Sequence, residues 1–389
     1  MNYFFKFFVF LFLISCIFDP ADKLFGLKVP LFISLWLLFL ISKKSVNLRF
    51  PKEIVLFSLL FLAIPILSIS YYLIFDGTQP YAGFSLFKSF LFISLVFILY
   101  DKKMNIIPLL AQILSLLSLS IILVYIVILT NPGLFFLIYE FGYNSGVFHI
   151  GERVYSSNLK LWSIFFVTSP MIIIAIAYYF DLAFKSRKFK YYFLLLINVF
   201  AMFIAGTRNN MLMSILLPTI LFIIYLKNTK LVFLMVFSAL FVGSIYISDS
   251  LSDLLSTEEE SNKTKIGFLD DYKDTFSDPK VLIFGEGLGA YKIWNSNGRF
   301  YFTSELTYFE IFRYFGVFLG LALIYLMFYP VLYSYFNRKH YKENHIIIAY
   351  FLYLIMSFTN PLFFSSLGML IFAILLANIF TYKNTFIKF

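Results

Sequence analysis

Apolar residues along this chain come in long runs and not in alternation. A helix needs about 20 apolar residues to cross a bilayer. Near-continuous apolar stretches recur at about 3–18, 28–42, 53–75, 84–100, 105–130, 160–181, 191–206, 211–226, 231–248, 305–336, 345–358 and 367–382. A membrane barrel would show short alternating segments, which these are not. The pattern predicts an all-α polytopic membrane protein, a bundle of about twelve transmembrane helices with residues 1–389 as a single membrane domain. Two polar interruptions break it. One is 131–159, which contains GYNSGVFHIGERVYSSN. The larger, 249–304, reads DSLSDLLSTEEESNKTKIGFLDDYKDTFSDPKVLIFGEGLGAYKIWNSNGRFYFTS. Its first part is composed like a mobile segment. The remainder predicts a short amphipathic helix at about 266–277, a turn at Ser277-Asp278-Pro279, a strand-like or interfacial apolar piece and a Gly-rich turn.

The connections sort by charge. Basic residues gather at Lys43, Lys44, Arg49 and Lys52, at Lys102 and Lys103, at Lys185, Arg187, Lys188 and Lys190, at Lys227 and Lys230, at Arg338, Lys339 and Lys342, and in the tail at Lys383 and Lys388. All of these fall on one side if the spans alternate. The positive-inside rule then puts both termini in the cytoplasm and the segments 131–159 and 249–304 outside.

Composition narrows the class further. The chain is 61% hydrophobic and 13% charged, and its mean hydropathy is +0.87, whereas soluble domains carry about 25% charged residues. The net charge of +10 is explained by cytoplasmic loops and calls for no nucleic acid. One cysteine, Cys16, allows no internal disulfide. The first apolar run lacks a small-residue cleavage site and reads as a retained first helix, not a signal peptide.

A membrane protein acting on a polar substrate needs solvated polar groups, and these concentrate on the outer side. Arg208 sits in IAGTRNNML, a tight turn between two spans, flanked by Gly206, Thr207, Asn209 and Asn210. Its alternative is a snorkelling residue. As a functional residue it offers a planar fork of donors to phosphate or diphosphate. Arg153 and Arg299 are the other outer arginines, and surface solvation is the alternative for each. Glu305, Glu310 and Arg313 enter one span together. A charge at a helix centre costs about 2.5–3.5 kcal/mol, so they should face partners or a cavity. Glu310 and Arg313 are three apart and can pair locally. Glu305 and Arg313 lie about 80° apart around the axis. Glu305 has Tyr308 and Phe309 at i+3 and i+4, with no basic neighbour there, which makes it the better candidate for a working carboxylate. GEGLG (285–289, with Glu286) lacks the strand–turn–helix context of a dinucleotide site and the Lys-Ser/Thr of a P-loop. It reads as a tight turn, either structural or bringing amides close to a ligand. His149 is the single outer histidine. No metal-binding spacing occurs, and DDYKD reads as a solvated helix face. Tyr308, Tyr291, Trp294 and Tyr301 are candidates for stacking on sugars.

The combination of GTRNNML, FGEGLG, SELTYFEIFRYFGVFLG and TNPLFFSS on such a bundle resembles the O-antigen polymerase and ligase superfamily (Wzy-type). By motif the resemblance covers about 204–215, 283–320 and 358–366. It implies a glycosyltransferase acting on undecaprenyl-diphosphate-linked glycans at the periplasmic face of the bacterial inner membrane, in lipopolysaccharide or related polysaccharide biosynthesis. It implies no cofactor, and a chain-length regulator protein as partner. The ligase branch carries His where the long loop enters the next span. Here that position reads Ser304-Glu305-Leu306, which favours the polymerase branch. The resemblance and the residues together assign Glu305 as catalytic, Arg208, Arg299 and Arg153 to the diphosphate, and Arg313, Tyr308, Glu286 and His149 as supporting. Two alternatives stand beside polymerisation. One is ligation of finished glycan to another acceptor. The other is a transporter or flippase of lipid-linked sugars, which would spread charge through many spans. Lys88, in the fourth span, is the main residue that fits that pattern.

Overall fold

The computed structural model describes residues 2–42, 50–75, 77, 80–156, 159–226, 260–294, 299–301, 304–337 and 344–386. The expected span at 231–248 and the basic connections at 43–49, 227–230 and 338–343 lie outside the described residues. In chain order the helices begin with α1 (Asn2–Phe18), α2 (Lys28–Ile41), α3 (Lys52–Phe75) and α4 (Pro80–Phe90). A 3₁₀ turn carries α4 into α5 (Leu95–Asp101), and α6 (Ile107–Thr130) and α7 (Phe135–Ser145) follow. After the hairpin β1 (Phe148–Ser156) and β2 (Leu159–Phe166) come α8 (Ile172–Ser186), α9 (Phe189–Ile204) and α10 (Arg208–Leu226). Next are α11 (Glu260–Phe276), α12 (Pro279–Phe284), the short pair β3 (Lys292–Trp294) and β4 (Arg299–Tyr301), α13 (Thr307–Phe336), α14 (Asn344–Met356) and α15 (Ser366–Phe386).

Five of the described helices are long and apolar enough to cross a membrane: Lys52–Phe75, Tyr81–Asp101, Ile107–Thr130, Arg208–Tyr225 and Thr307–Phe336. Further apolar helices are shorter. This is the make-up of a helical membrane protein. The side chains agree with it. On α6, Ile113, Leu114, Leu117 and Ile121 are buried, while Leu116, Leu119, Leu123 and Ile126 are exposed on other faces. A helix apolar on its exposed side as well as its buried one is solvated by lipid.

The chain divides into two compact units built from interleaved segments. The first holds Met1–Ser42, Ile106–Ser256 and Glu343–Tyr353. In it α6, α8, α9 and α10 pack on one another. A buried polar bridge joins α6 to α9: Ser118 donates to Asn198 Oδ1 at 2.8 Å, and Asn198 Nδ2 donates to Ser115 at 2.9 Å. Such bonds hold helices together where there is no water to compete.

The hairpin corrects the expected all-α architecture and the expected span at 160–181. Residues 159–166 (LKLWSIFF) are a strand paired antiparallel with β1 in the register Gly151↔Ser163, and α8 starts only at Ile172. An apolar run by itself does not separate a buried strand from a helix. Here β-branched and aromatic residues favour the strand, and Thr168-Ser169-Pro170 ends it with a 3₁₀ turn.

The second unit holds Lys43–Asn105, Thr257–Lys342 and Leu354–Phe389. The polar segment after 257 is built onto this unit. The amphipathic helix exists, but it runs Glu260–Phe276. It buries Phe268, Tyr272 and Thr275 on one face, where Phe268 and Tyr272 pack with Leu306, Phe276 and Phe309. DDYKD is therefore only partly a solvated face, since Asp271 and Tyr272 are buried. The piece expected as strand-like or interfacial forms no strand; it is α12, with Pro279 in its first turn and Asp278 capping the Lys280 amide at 2.8 Å. That is the favourable use of both residues at a helix start.

Candidate functional site

The second unit concentrates charge where the polar segment meets α13. This helix is continuous in sequence but not in conformation. Gly316 has φ 69° and ψ 176°, so the chain leaves helical geometry after nine residues and re-enters it. Only glycine fits: a Cβ at Gly316 would stand 2.1 Å from the Ile283 carbonyl oxygen. At the break, the Arg313 carbonyl accepts from the Glu286 amide at 2.6 Å, and the Tyr314 carbonyl from Ser68 Oγ at 2.7 Å.

The GEGLG turn fills this break. Gly285, Gly287 and Gly289 have φ of +78°, +94° and +103°. A Cβ on each would meet neighbouring atoms at 2.7 Å or less: the Tyr314–Gly316 backbone, Tyr72, and the Gly83 backbone respectively. Three amides of the turn are also engaged, Gly285 N on Val281 O, Glu286 N on Arg313 O and Leu288 N on Ser68 Oγ at 2.8 Å, and the following Ala290 N donates to Gly287 O. Those amides donate to the fold, so the turn is a packing device against α3, α4 and α13.

The turn and α13 together bury one guanidinium. Arg313 has no exposed side-chain surface. Its Nε and Nη2 donate to Glu310 Oε2 at 3.1 and 2.7 Å. Its Nη1 donates to Glu286 Oε2 at 2.7 Å and to the Ala290 carbonyl at 3.1 Å. Glu310 Oε1 accepts from Tyr272 Oη at 2.6 Å and from the Ser304 amide at 2.9 Å. Ser304 Oγ lies 2.6 Å from the same phenol oxygen and accepts from the Leu306 amide at 3.1 Å. Burial, with the Glu310 charge beside it, pushes the Tyr272 phenol well above its usual range. Lys292 donates to the Asp271 carbonyl and to Thr275, and burial lowers its ammonium despite the raising effect of Glu286.

Of the sequence candidates in this unit, Arg313 and Glu286 come together. Glu305 stands apart from them. Its carboxylate is 57% exposed, and the ion pair it makes is with Lys265 at 3.9 Å. Tyr308 donates to the Leu354 carbonyl at 2.9 Å and packs on Phe358. Arg299 lies on β4, its backbone opposite Trp294. Tyr272, Ser304, Lys292 and Ser68 were not among the sequence candidates. The spacing of Phe268, Tyr272 and Thr275 on one helix face is the signal that marks Tyr272 as inward-facing.

The other candidates belong to the first unit. Arg208 is the first residue of α10, half-buried, after Gly206 at φ +70°. Thr207 Oγ1 accepts from the Asn210 amide at 3.1 Å, and buried Asn210 donates to Ser169 at 3.0 Å. Gly206 lies against β2, where its Cβ would fall 2.1 Å from that of Ser163. Ser163 is the register partner of Gly151, so the hairpin carrying Arg153 docks on the turn carrying Arg208. His149 is exposed between buried Phe148 and Ile150, as strand alternation requires. A cavity of about 450 Å³ lined by Lys23, Glu140, Phe141, Asn144 and Ser145 among others involves none of these candidates. Among the described residues, no group of three His, Cys, Asp or Glu side chains gathers as a metal site would require. Comparison of the chain with protein-family models, with curated proteins and with solved structures found no match.

Proposed function

We propose that this protein polymerises undecaprenyl-diphosphate-linked oligosaccharide repeat units at the periplasmic face of the bacterial inner membrane. In this reading it has about twelve spans, both termini are cytoplasmic, and the segment 249–304 lies outside. The growing glycan leaves its lipid carrier and joins a hydroxyl of the next repeat unit. That hydroxyl oxygen bonds to the anomeric carbon. The bond from that carbon to the diphosphate oxygen breaks, with its electron pair leaving on the diphosphate, and the hydroxyl proton passes to a base. The donor is already activated, so the reaction needs an anion-stabilising group and a proton acceptor.

The observation that carries the reading is the position of the break in α13. The segment 317–336 is about 30 Å long at 1.5 Å per residue, which alone matches the hydrocarbon thickness. Gly316 and the Arg313–Glu310–Glu286 cluster therefore belong at one end of a span. Carriers place broken helices and their binding residues near the bilayer midplane. A charged cluster at one face, with α11 and α12 packed against that end of α13, favours an enzyme over a flippase. Arg208 supports the reading from the first unit. A guanidinium in the first turn of a helix adds its donors to the positive end of the helix dipole, a favourable place for a diphosphate.

The test is the surface glycan of a deletion strain. A polymerase defect leaves single-repeat caps. Ligase and flippase defects both leave none, and that result would overturn the proposal.

A further inference from the structure

Three carboxylates stand at the junction of the polar segment and α13, and their surroundings separate them. Glu310 is 1% exposed. Its Oε1 accepts from Tyr272 and Ser304, and its Oε2 accepts twice from Arg313. No lone pair is left pointing at a substrate, and its charge is matched by the guanidinium. Glu305 is open to solvent, and among the described residues no short hydrogen bond orients its carboxylate. Glu286 combines what the other two lack. Its side chain is 26% exposed, its Oε2 is held by Arg313 Nη1 at 2.7 Å, and its own amide is fixed on the Arg313 carbonyl at 2.6 Å. Among the described residues nothing hydrogen-bonds its Oε1.

The chain around Glu286 is equally specific. Gly285 and Gly287 on either side have positive φ and cannot accept a Cβ without colliding with α13 or α3. The next side chain, Leu288, is fully buried. The turn thus hides Leu288 and presents Glu286 on a backbone with little freedom, as catalytic groups require. Arg313 meets Glu310 through two donors and Glu286 through one, and the Lys292 ammonium, bonded to the Asp271 carbonyl and to Thr275, is a second cation that interacts with Glu286.

We propose that Glu286 is the proton acceptor of this site, oriented by Arg313, and that it takes the proton of the acceptor-sugar hydroxyl. The inference rests on the polymerase reading. The hydroxyl oxygen forms its bond to the anomeric carbon as the lipid diphosphate departs with the electron pair of the broken bond. The proton moves to Glu286 Oε1, leaving a neutral carboxylic acid beside Arg313, which stays cationic.

The test compares Glu286→Gln, Glu286→Asp and Glu305→Gln in the full-length protein, expressed in the deletion strain and assayed in membranes with lipid-linked repeat unit. Gln keeps a carbonyl oxygen toward Arg313 Nη1 and cannot accept the proton. The expected result is at least a hundredfold loss of polymerisation per folded molecule in Glu286→Gln, at normal membrane level, with single-repeat glycan remaining. Glu286→Asp retains part of the rate with a displaced acidic limb in its pH profile. Wild-type chain length in Glu286→Gln would overturn the proposal. So would a loss proportional to the folded protein remaining, or a Glu305→Gln protein that is dead while Glu286→Gln is active. Should Glu286→Gln fail to accumulate, the rate of Glu286→Asp per folded molecule decides: a wild-type rate and pH profile overturns the assignment, a reduced rate with a displaced limb supports it. Normal long-chain glycan in the deletion strain itself sinks the polymerase reading. Loss there with an active Glu286→Gln sinks only the assignment of Glu286.

Discussion

Arg313 and Glu310, three residues apart on the first turns of α13, share two hydrogen bonds on one carboxylate oxygen at 3.1 and 2.7 Å, and both side chains are buried. Two charges in an apolar helix are tolerable because each is fully engaged. Arg313 also reaches Glu286 and the Ala290 carbonyl, and Glu310 also holds Tyr272 and Ser304. Removing one partner of a buried pair typically costs about 3–5 kcal/mol, because the other is left charged and unpaired. Arg313→Met is expected to lower folded protein in the membrane severely. Arg313→Lys is expected to rescue little, since a point charge cannot bridge two carboxylates and a carbonyl with the same fork. Thermal aggregation of detergent-solubilised protein reads this out, and a stable Arg313→Met would show the cluster to be dispensable for the fold.

The glycines give a second contrast. Gly316→Ala must place a methyl against the Ile283 carbonyl at a positive φ, whereas Gly26 has φ +61° with nothing within 4 Å. Gly26→Ala is expected to cost about 1–2 kcal/mol from backbone strain alone. Gly316→Ala is expected to cost more and to release the GEGLG turn, seen as increased protease cleavage between 277 and 304. Equal stability for the two variants would contradict the packing account.

Tyr272 predicts a pH dependence. Burial, and secondarily the Glu310 charge, raises its folded-state pKa well above the ordinary range of a phenol. Above about pH 10 the phenol ionises in the unfolded chain and stays neutral in the folded one. The unfolded state then binds fewer protons, so stability present below pH 10 is lost as pH rises. Tyr272→Phe is expected to be less stable at neutral pH by about 1–3 kcal/mol, because Glu310 and Ser304 each lose a partner. Its further alkaline loss should be shallower than that of the wild type. Parallel melting profiles between pH 8 and pH 11 would remove Tyr272 from this linkage.

For Arg208, Arg208→Ala is expected to abolish long-chain glycan at normal protein level. Arg208→Lys should restore it poorly, since the ammonium keeps the charge and loses the planar fork. Under the proposed role, losing a charge-assisted contact to the diphosphate corresponds to about 2–5 kcal/mol. Full chain length in Arg208→Lys would reduce the residue to a charge at a membrane boundary.

Topology is tested by reporter fusions at Lys188 and at Thr264, which should report opposite sides of the membrane with Lys188 cytoplasmic. The same side for both would break the alternation on which the proposed orientation rests.

Hydrophobic run length by itself identified nearly every described apolar helix, because a bilayer demands about 20 apolar residues and little else in a sequence supplies them. Residue spacing also made legible the position of Arg208 at the turn into α10 and the i, i+3 pairing of Glu310 with Arg313 in the first turns of α13. What run length misassigned was the segment 159–166, where a helix and a strand can bury the same residues and the partner decides, here β1 across the hairpin. The piece 279–284, expected as strand-like or interfacial, is a short helix with no buried residue, started by Asp278 and Pro279. The role of GEGLG was equally out of reach. Three glycines mark a tight turn, but only the tertiary structure shows that they exist to approach α3, α4 and α13, and that the turn delivers Glu286 to a buried arginine 27 residues away in sequence. The break at Gly316 belongs to the same class. A glycine inside a helical run is usually tolerated as helix, and it leaves that geometry here because the Glu286 amide of the neighbouring turn and the Ser68 hydroxyl of α3 donate to the Arg313 and Tyr314 carbonyls at the break.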